Sequence, residues 1–208
     1  MLVEKGKTKI FHIHPPRTGG RYVANLFDQN GFTVHFEQSK RFFRSSILEE
    51  LLTYPYYETL YNFEDIPTSI VIRHPVDRFI SVASYDFTCR KVKNYSSIFR
   101  TKNSLLHYIK EQQTIHSYHN NFFTPQYKFI GPKTKMWKFE KGLNHKFVDW
   151  INKEFNLNLL WKIILYKHTN KIGVEFLDDY EKIKISEDNR KVLEEFYEKD
   201  LEIWNKLQ

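Results

Sequence analysis

The chain has 208 residues, of which 41% are hydrophobic and 17% aromatic, so it can bury a substantial core, and we expect one domain over residues 1–208. Its 32 Lys and Arg residues outnumber its 25 Asp and Glu residues, but both signs are mixed along most of the chain. Nucleic acid is therefore not the expected partner, because nucleic-acid binders concentrate their charge in a basic stripe. The single cysteine, Cys89, excludes an intrachain disulfide framework and a cysteine-built zinc site.

The hydropathy of the chain gives no sign of a membrane protein. No run of about 18 apolar residues occurs, and Met1–Lys7 is too polar for the core of a signal peptide. We therefore expect a soluble, cytoplasmic protein that does not bind membranes. The sequence leaves the oligomeric state open.

The first predicted unit is a strand, a glycine-containing loop and a helix. The apolar run Ile10–Ile13 predicts the strand, Pro16 ends it, and an amphipathic helix follows over residues 18–30. Gly19 and Gly20 allow the backbone to approach a ligand closely, and the helix start supplies unsatisfied N–H groups. This arrangement is typical of an anion site.

Polar side chains surround these glycines. Arg17 can hold a phosphate or sulfate with its forked guanidinium, Thr18 adds a hydroxyl, and Arg21 adds a second cation. An ordinary turn that carries surface arginines is the alternative interpretation of this stretch. The next strand, residues 33–36, carries His35 near its carboxyl end, where ligands gather in open α/β sheets. A half-buried structural histidine is the alternative there.

A second strand, turn and helix follow. The β-branched run Thr68–Ile72 predicts a strand that ends in Arg73, and a helix is expected over residues 76–85. Ser81 lies eight residues after Arg73, about two turns into that helix, so that both side chains can reach one phosphate group. Further on, the pattern predicts a strand over residues 136–140 and helices over residues 104–113, over residues 144–155 and from residue 186 onward.

Several of these segments resemble the motifs of carbohydrate-type sulfotransferases. The stretch His14–Gly20 resembles their His-Ile-Pro-Lys-Thr-Gly-Gly signature, and Arg73–Ser81 resembles their Arg-x-Pro-x-x-Arg-x-x-Ser segment. Pro125–Gln126, Phe139–Glu140 and Tyr197–Leu201 match later segments in the same order. The resemblance spans most of the chain, and it implies a P-loop-like sulfotransferase fold in which helices flank a mainly parallel sheet.

The resemblance also implies a cofactor, 3′-phosphoadenosine 5′-phosphosulfate (PAPS), and an acceptor hydroxyl, expected on a carbohydrate. It implies that the first loop binds the 5′-phosphosulfate and that residues from the second unit bind the 3′-phosphate. A basic loop in the last third of the chain often closes over the cofactor in this family. The implied cofactor-binding residues are Pro16, Arg17, Thr18, Gly19, Gly20, Arg21, Tyr22, Arg73, Ser81 and Lys171.

Two residues are the candidates for catalysis. Arg17 stands where the family usually has lysine and would stabilise the charge that develops on the bridging oxygen. His35 is the candidate general base, because imidazole is suited to proton transfer near neutral pH. Glu37 and Asp86 are the substitutes for His35 in that role.

Other functions remain open at the level of sequence. A catalytically silent relative that binds cofactor or glycan would explain the arginine at position 17. A polyanion- or nucleic-acid-binding protein would explain the charge of +7 and the interleaved aromatic residues. His116 and His119 have no evident third ligand, so we do not expect a metal site.

Overall fold

The computed structural model describes residues 1–35, 66–90, 98–114, 122–161 and 183–207. Within these ranges the chain forms five strands and six α-helices. The strands are β1 (Leu2–Lys5), β2 (Thr8–Ile13), β3 (Thr33–His35), β4 (Thr68–Ile72) and β5 (Lys135–Lys138). The helices are α1 (Gly20–Gln29), α2 (Pro75–Arg90), α3 (Lys102–Thr114), α4 (His145–Phe155), α5 (Glu187–Phe196) and α6 (Glu198–Lys206).

The five strands form one sheet in the order β3-β1-β2-β4-β5. Strands β2, β4 and β5 run parallel to one another, whereas β1 is antiparallel to both of its neighbours, β2 and β3. The sheet is therefore mixed, and the expectation of a mainly parallel sheet is corrected. The difference comes from β1, a short charged strand that pairs with β2 through a tight turn at Gly6, whose φ of 59° suits glycine.

Apolar side chains cover both faces of the sheet, as an α/β fold requires. On one face, Ile10 and Val71 belong to a buried cluster that includes Phe27 of α1 and Phe147 of α4. On the other face, the buried side chains of Phe11, Ile13, Ile70 and Ile72 cluster with Phe129, and Trp204 of α6 packs against them. Each such large apolar side chain contributes about 1.5 to 3 kcal/mol when it is fully buried.

A separate cluster joins α2, α3 and α5. It includes Phe79 from α2, Leu105 and Ile109 from α3, and Leu193 from α5, all of them buried. This packing fixes the axis of α2, the helix that follows β4. Within the described ranges, no helix has the length and apolar character needed to cross a membrane.

Most boundaries of the predicted elements hold to within a few residues. Helix α1 begins two residues later than predicted, because Gly19 adopts a left-handed conformation with φ of 89°. The helix predicted from residue 186 onward begins there, with Ser186 as its N-cap, since the Ser186 side chain accepts a hydrogen bond from Asn189 N. The single last helix that we predicted is wrong, because the chain breaks at Tyr197 into α5 and α6.

Candidate active site at the carboxyl edge of the sheet

Two loops leave the sheet at the same edge: the first loop, residues 14–19, follows β2, and the second loop, residues 73–74, follows β4. Strands β2 and β4 are parallel neighbours, and Ile13 lies beside Ile70 in their register. The loop after β2 and the loop after β4 therefore meet where the carboxyl ends of parallel strands gather, the usual position of ligand sites in α/β sheets.

The first loop has a fixed shape between β2 and α1. The hydroxyl of Thr18 is buried and donates to Pro15 O at 2.7 Å, so it closes the turn from inside. Gly20 has no room for a side chain, because a Cβ there would overlap the imidazole of His14. Arg17 has a φ of 68°, a left-handed conformation that costs a non-glycine residue about 1 to 3 kcal/mol and that clusters at functional sites.

The start of α1 offers backbone N–H groups to a ligand. Tyr22 N and Val23 N both donate to Gly19 O, at 2.9 and 3.3 Å. Among the contacts of the described residues, the N–H groups of Gly19 and Gly20 have no protein acceptor. A helix start with unsatisfied N–H groups and the positive end of its dipole favours an anion.

The second loop and α2 contact the first loop directly. Arg17 Nε donates to Ser81 Oγ at 3.0 Å, and Arg73 Nη1 donates to Arg17 O at 3.1 Å. Tyr85 lies one turn after Ser81 on α2, and the Arg17 guanidinium sits 5.1 Å from the centre of its ring. Arg17, Arg73 and Ser81, predicted from two separate motifs, are thus brought together.

The charge at this edge is positive. Arg17 is exposed and forms no ion pair with a carboxylate of the described residues. The Arg73 guanidinium lies 4.8 Å from the centre of the Phe139 ring. Glu140 follows Phe139 in the sequence. Its carboxylate accepts hydrogen bonds from His74 N at 2.7 Å and from the Trp204 indole at 2.8 Å.

The remaining residues predicted to bind the cofactor differ in their exposure and contacts. Pro16 is buried, and Arg21 is exposed in the first turn of α1. Tyr22 is half-buried and packs edge-on against Phe147 of α4, with ring centres 6.4 Å apart. Burial raises the pKa of the Tyr22 phenol. Lys171, predicted to close over the cofactor, lies outside the described residues.

His35 ends β3 but is separated from β2 by β1. It lies beside Leu2, which in turn lies beside Phe11, so two inter-strand spacings of about 5 Å each separate it from β2. Its Nε2 atom is 2.9 Å from Glu4 Oε2, which holds the imidazole in place. In this register His35 is level with Phe11 of β2 and, through it, with Thr68, the first residue of β4, so the tertiary structure does not bring His35 to the first loop.

Of the two substitutes for His35 as the general base, only Asp86 lies within the described residues. Asp86 is buried in α2 and accepts a hydrogen bond from the Tyr108 hydroxyl at 2.9 Å. Because it follows Tyr85 by one residue, it lies on another face of α2 than Ser81 and Tyr85. Glu37 lies outside the described residues.

A buried histidine that no sequence motif indicates lies in β2 below the first loop. His12 Nδ1 and Ser69 Oγ are 2.9 Å apart, and both side chains are fully buried between β2 and β4. Burial, together with the charges of the Met1 amino group and of His14, lowers the pKa of His12 well below 6.5. His12 is therefore neutral, and its side chain fills the space between β2 and β4 without adding a charge there.

A second buried polar group, which the sequence did not indicate, lies behind the second loop. It comprises Arg78, Gln126, Tyr197 and Asp200, all buried. Gln126 binds the backbone of Arg73 on both its N–H and its carbonyl. The sequence signal was the occurrence of these residues in motif-like segments, but no periodicity indicates that they meet.

Within the described ranges, no group of three or more His, Cys, Asp or Glu side chains has the arrangement to hold a metal ion. His116 and His119 lie outside those ranges. The two guanidinium groups and the helix start suit an anion instead.

The fold and the site together define an α/β protein that carries a candidate anion site at the carboxyl edge of a mixed sheet. No protein-family model, curated protein or solved structure matches the chain.

Proposed function

We propose that the protein is a sulfotransferase that moves a sulfuryl group from PAPS to an acceptor hydroxyl on a carbohydrate. The observation that carries the proposal is the contact between the two predicted phosphate-binding units. Arg17 Nε donates to Ser81 Oγ at 3.0 Å, and Arg73 Nη1 donates to Arg17 O at 3.1 Å. A nucleotide with phosphates at both its 3′ and 5′ positions needs two anion subsites on neighbouring loops.

The residues present fit such a nucleotide. The N–H groups of Gly19 and Gly20 and the Arg17 guanidinium suit the 5′-phosphosulfate, because charge-assisted hydrogen bonds are about twice as strong as neutral ones. Arg73 and the Ser81 hydroxyl suit the 3′-phosphate. Ser81 accepts from Arg17 through its oxygen and can still donate its own proton to a phosphate.

The bound cofactor would supply a sulfuryl group that an acceptor hydroxyl attacks in line. Arg17 then stabilises the negative charge on the bridging oxygen, since a fixed guanidinium needs no reorganisation as that charge develops. Its contacts with Ser81 and Tyr85 hold it in one position.

The acceptor hydroxyl must lose a proton, and we propose His35 as the base. Glu4 Oε2 lies 2.9 Å from its Nε2 and would stabilise the imidazolium that forms. A general base lies within hydrogen-bond reach of the proton that it removes, directly or through one water, so this role requires the sulfuryl group and the attacking hydroxyl to lie on the β3 side of the first loop.

Calorimetric titration with 3′-phosphoadenosine 5′-phosphate (PAP), alongside ATP and AMP, tests the cofactor assignment. We expect PAP to bind more tightly than AMP, because only PAP carries the 3′-phosphate. Equal affinity for PAP and AMP would refute the assignment. Incubation with radiolabelled PAPS and a panel of hydroxyl acceptors then tests transfer itself.

A catalytically silent relative is the second candidate, and the side chain of Arg17 is the observation that favours it. A guanidinium delocalises its charge and does not release its proton as readily as lysine. In this protein it is also engaged by Ser81 and Tyr85. Clear PAP binding without turnover on any acceptor would support this candidate over the transferase.

A further inference from the structure

Arg73 is held by its backbone as well as by its side chain. Arg73 N donates to Gln126 Oε1 at 3.0 Å, and Gln126 Nε2 donates to Arg73 O at 2.7 Å. One amide side chain thus satisfies both backbone groups of the residue that follows β4. Because Gln126 is only 1% exposed, water does not compete for these two hydrogen bonds.

Gln126 is itself fixed by the terminal helix α6. The carboxylate of Asp200 accepts from Gln126 N at 2.7 Å through one oxygen and from Tyr127 N at 2.8 Å through the other. Asp200 is also 1% exposed. Burial raises the pKa of Asp200, while Arg78 and these N–H groups oppose that rise.

The segment before Gln126 is held in the same way. The buried guanidinium of Arg78 donates to the carbonyls of Phe122 and Thr124, and the Tyr197 hydroxyl donates to Phe123 O at 2.9 Å. The two carbonyls that accept from Arg78 are held more firmly than the third, because hydrogen bonds with a charged partner are stronger than neutral ones. These contacts hold the segment in place where it meets Arg73.

We propose that Gln126 and Asp200 are positioning residues, which set the place of Arg73 and through it the shape of the first loop. Arg73 Nη1 donates to the carbonyl of Arg17, the residue with a left-handed φ of 68°. The helix at the end of the described chain thereby orients an anion-binding arginine more than 120 residues earlier. The proposal rests on the proposed function, in which Arg73 binds the 3′-phosphate.

A double-mutant cycle with PAP as the probe tests the proposal. We expect Gln126→Met to weaken PAP binding on the order of tenfold in the native background. A displaced Arg73 would lose about one charge-assisted hydrogen bond to the phosphate. In the Arg73→Ala background the same change is expected to leave the affinity within about twofold, since no guanidinium remains to be positioned. An equal loss in both backgrounds, or no loss in the native one, would overturn the proposal.

Controls separate positioning from folding. Thermal unfolding of every variant reports stability, and Gln29→Met on the exposed surface of α1 is the matched control, expected to bind PAP like the native protein. If Gln126→Met does not fold, Gln126→Asn replaces it, because it keeps an amide but is one methylene too short to reach the Arg73 backbone. The same two outcomes then decide.

Amide exchange of unliganded protein separates this proposal from the proposed function. Arg73 N–H is expected to exchange at least about tenfold faster in Gln126→Met than in the native protein, because its acceptor is lost. Unchanged exchange would overturn the positioning role whether or not PAP binds. Absence of PAP binding together with faster exchange would refute the cofactor assignment and support the role of Gln126 in positioning Arg73.

Discussion

Replacing Arg73 by alanine tests the assignment of the two phosphate subsites most directly. One nitrogen of its guanidinium, Nη1, is engaged by Arg17 O at 3.1 Å, so we count one charge-assisted hydrogen bond from Arg73 to the 3′-phosphate. Such a bond contributes about 1.5 to 3 kcal/mol, which corresponds to a change of roughly 10- to 150-fold in the dissociation constant. We expect Arg73→Ala to lose this factor for PAP.

The informative quantity is the ratio of the dissociation constants for AMP and PAP, measured by calorimetry at fixed salt. Arg73 also supports the carbonyl of Arg17, so its loss weakens both nucleotides, but only PAP loses a contact to its 3′-phosphate. Arg100→Ala removes the same charge from an exposed position outside the site and is the matched control. A native ratio near one, or a ratio that Arg73→Ala leaves unchanged, would refute the reasoning.

Three further predictions concern Arg17, His35 and His12. Arg17→Ala should abolish transfer, whereas Arg17→Lys should retain nucleotide binding and turnover; native rates of sulfate transfer in both variants would exclude Arg17 from transition-state stabilisation. His35→Ala should lower turnover by a factor of about 10² to 10⁴ at nearly unchanged PAP affinity, in a steady-state assay in which Glu4→Gln controls for loss of the hydrogen bond alone; joint loss of stability and PAP affinity would indicate a packing role. Because His12 has a lowered pKa when folded, the unfolded chain binds its proton first as pH falls below about 6.5, so stability is lost in that direction, by up to about 2 kcal/mol between pH 7 and pH 5. In urea titrations the loss of stability from about pH 7 to about pH 5 should be larger by this amount in the native protein than in His12→Asn, which keeps a polar atom toward Ser69; equal pH dependence of the two proteins would contradict the neutral state of His12.

The local pattern of the sequence was sufficient to predict most helices and the strands beside the candidate site. Apolar periodicity, the N-cap Ser186 and Gly31, with its φ of 77°, act within a few residues of the chain, and the structure has the corresponding helix boundaries close to where they were predicted. Parallel β2 and β4 then bring their loops to one edge by the general rule for α/β sheets. The convergence of Arg17, Arg73 and Ser81 was predictable for this reason.

Pairing between distant segments was decided only in the tertiary structure. Strand β1 is short and charged, so its sequence does not indicate that it lies between β2 and β3, and this insertion moves His35 one strand further from the first loop than a parallel sheet would. The pairing is set by which edges and turns fit together, which is not a property of either strand alone.

The buried polar contacts behind Arg73 were equally beyond local pattern. Arg78, Gln126 and Asp200 are polar residues that composition assigns to the surface, yet each is 1% exposed because it satisfies backbone groups of a distant segment. A buried polar side chain is stable only with its partners in place, and those partners lie more than 40 residues away in the chain. The sequence determined which residues can bind an anion, and the tertiary structure decided which of them are held in position to do so.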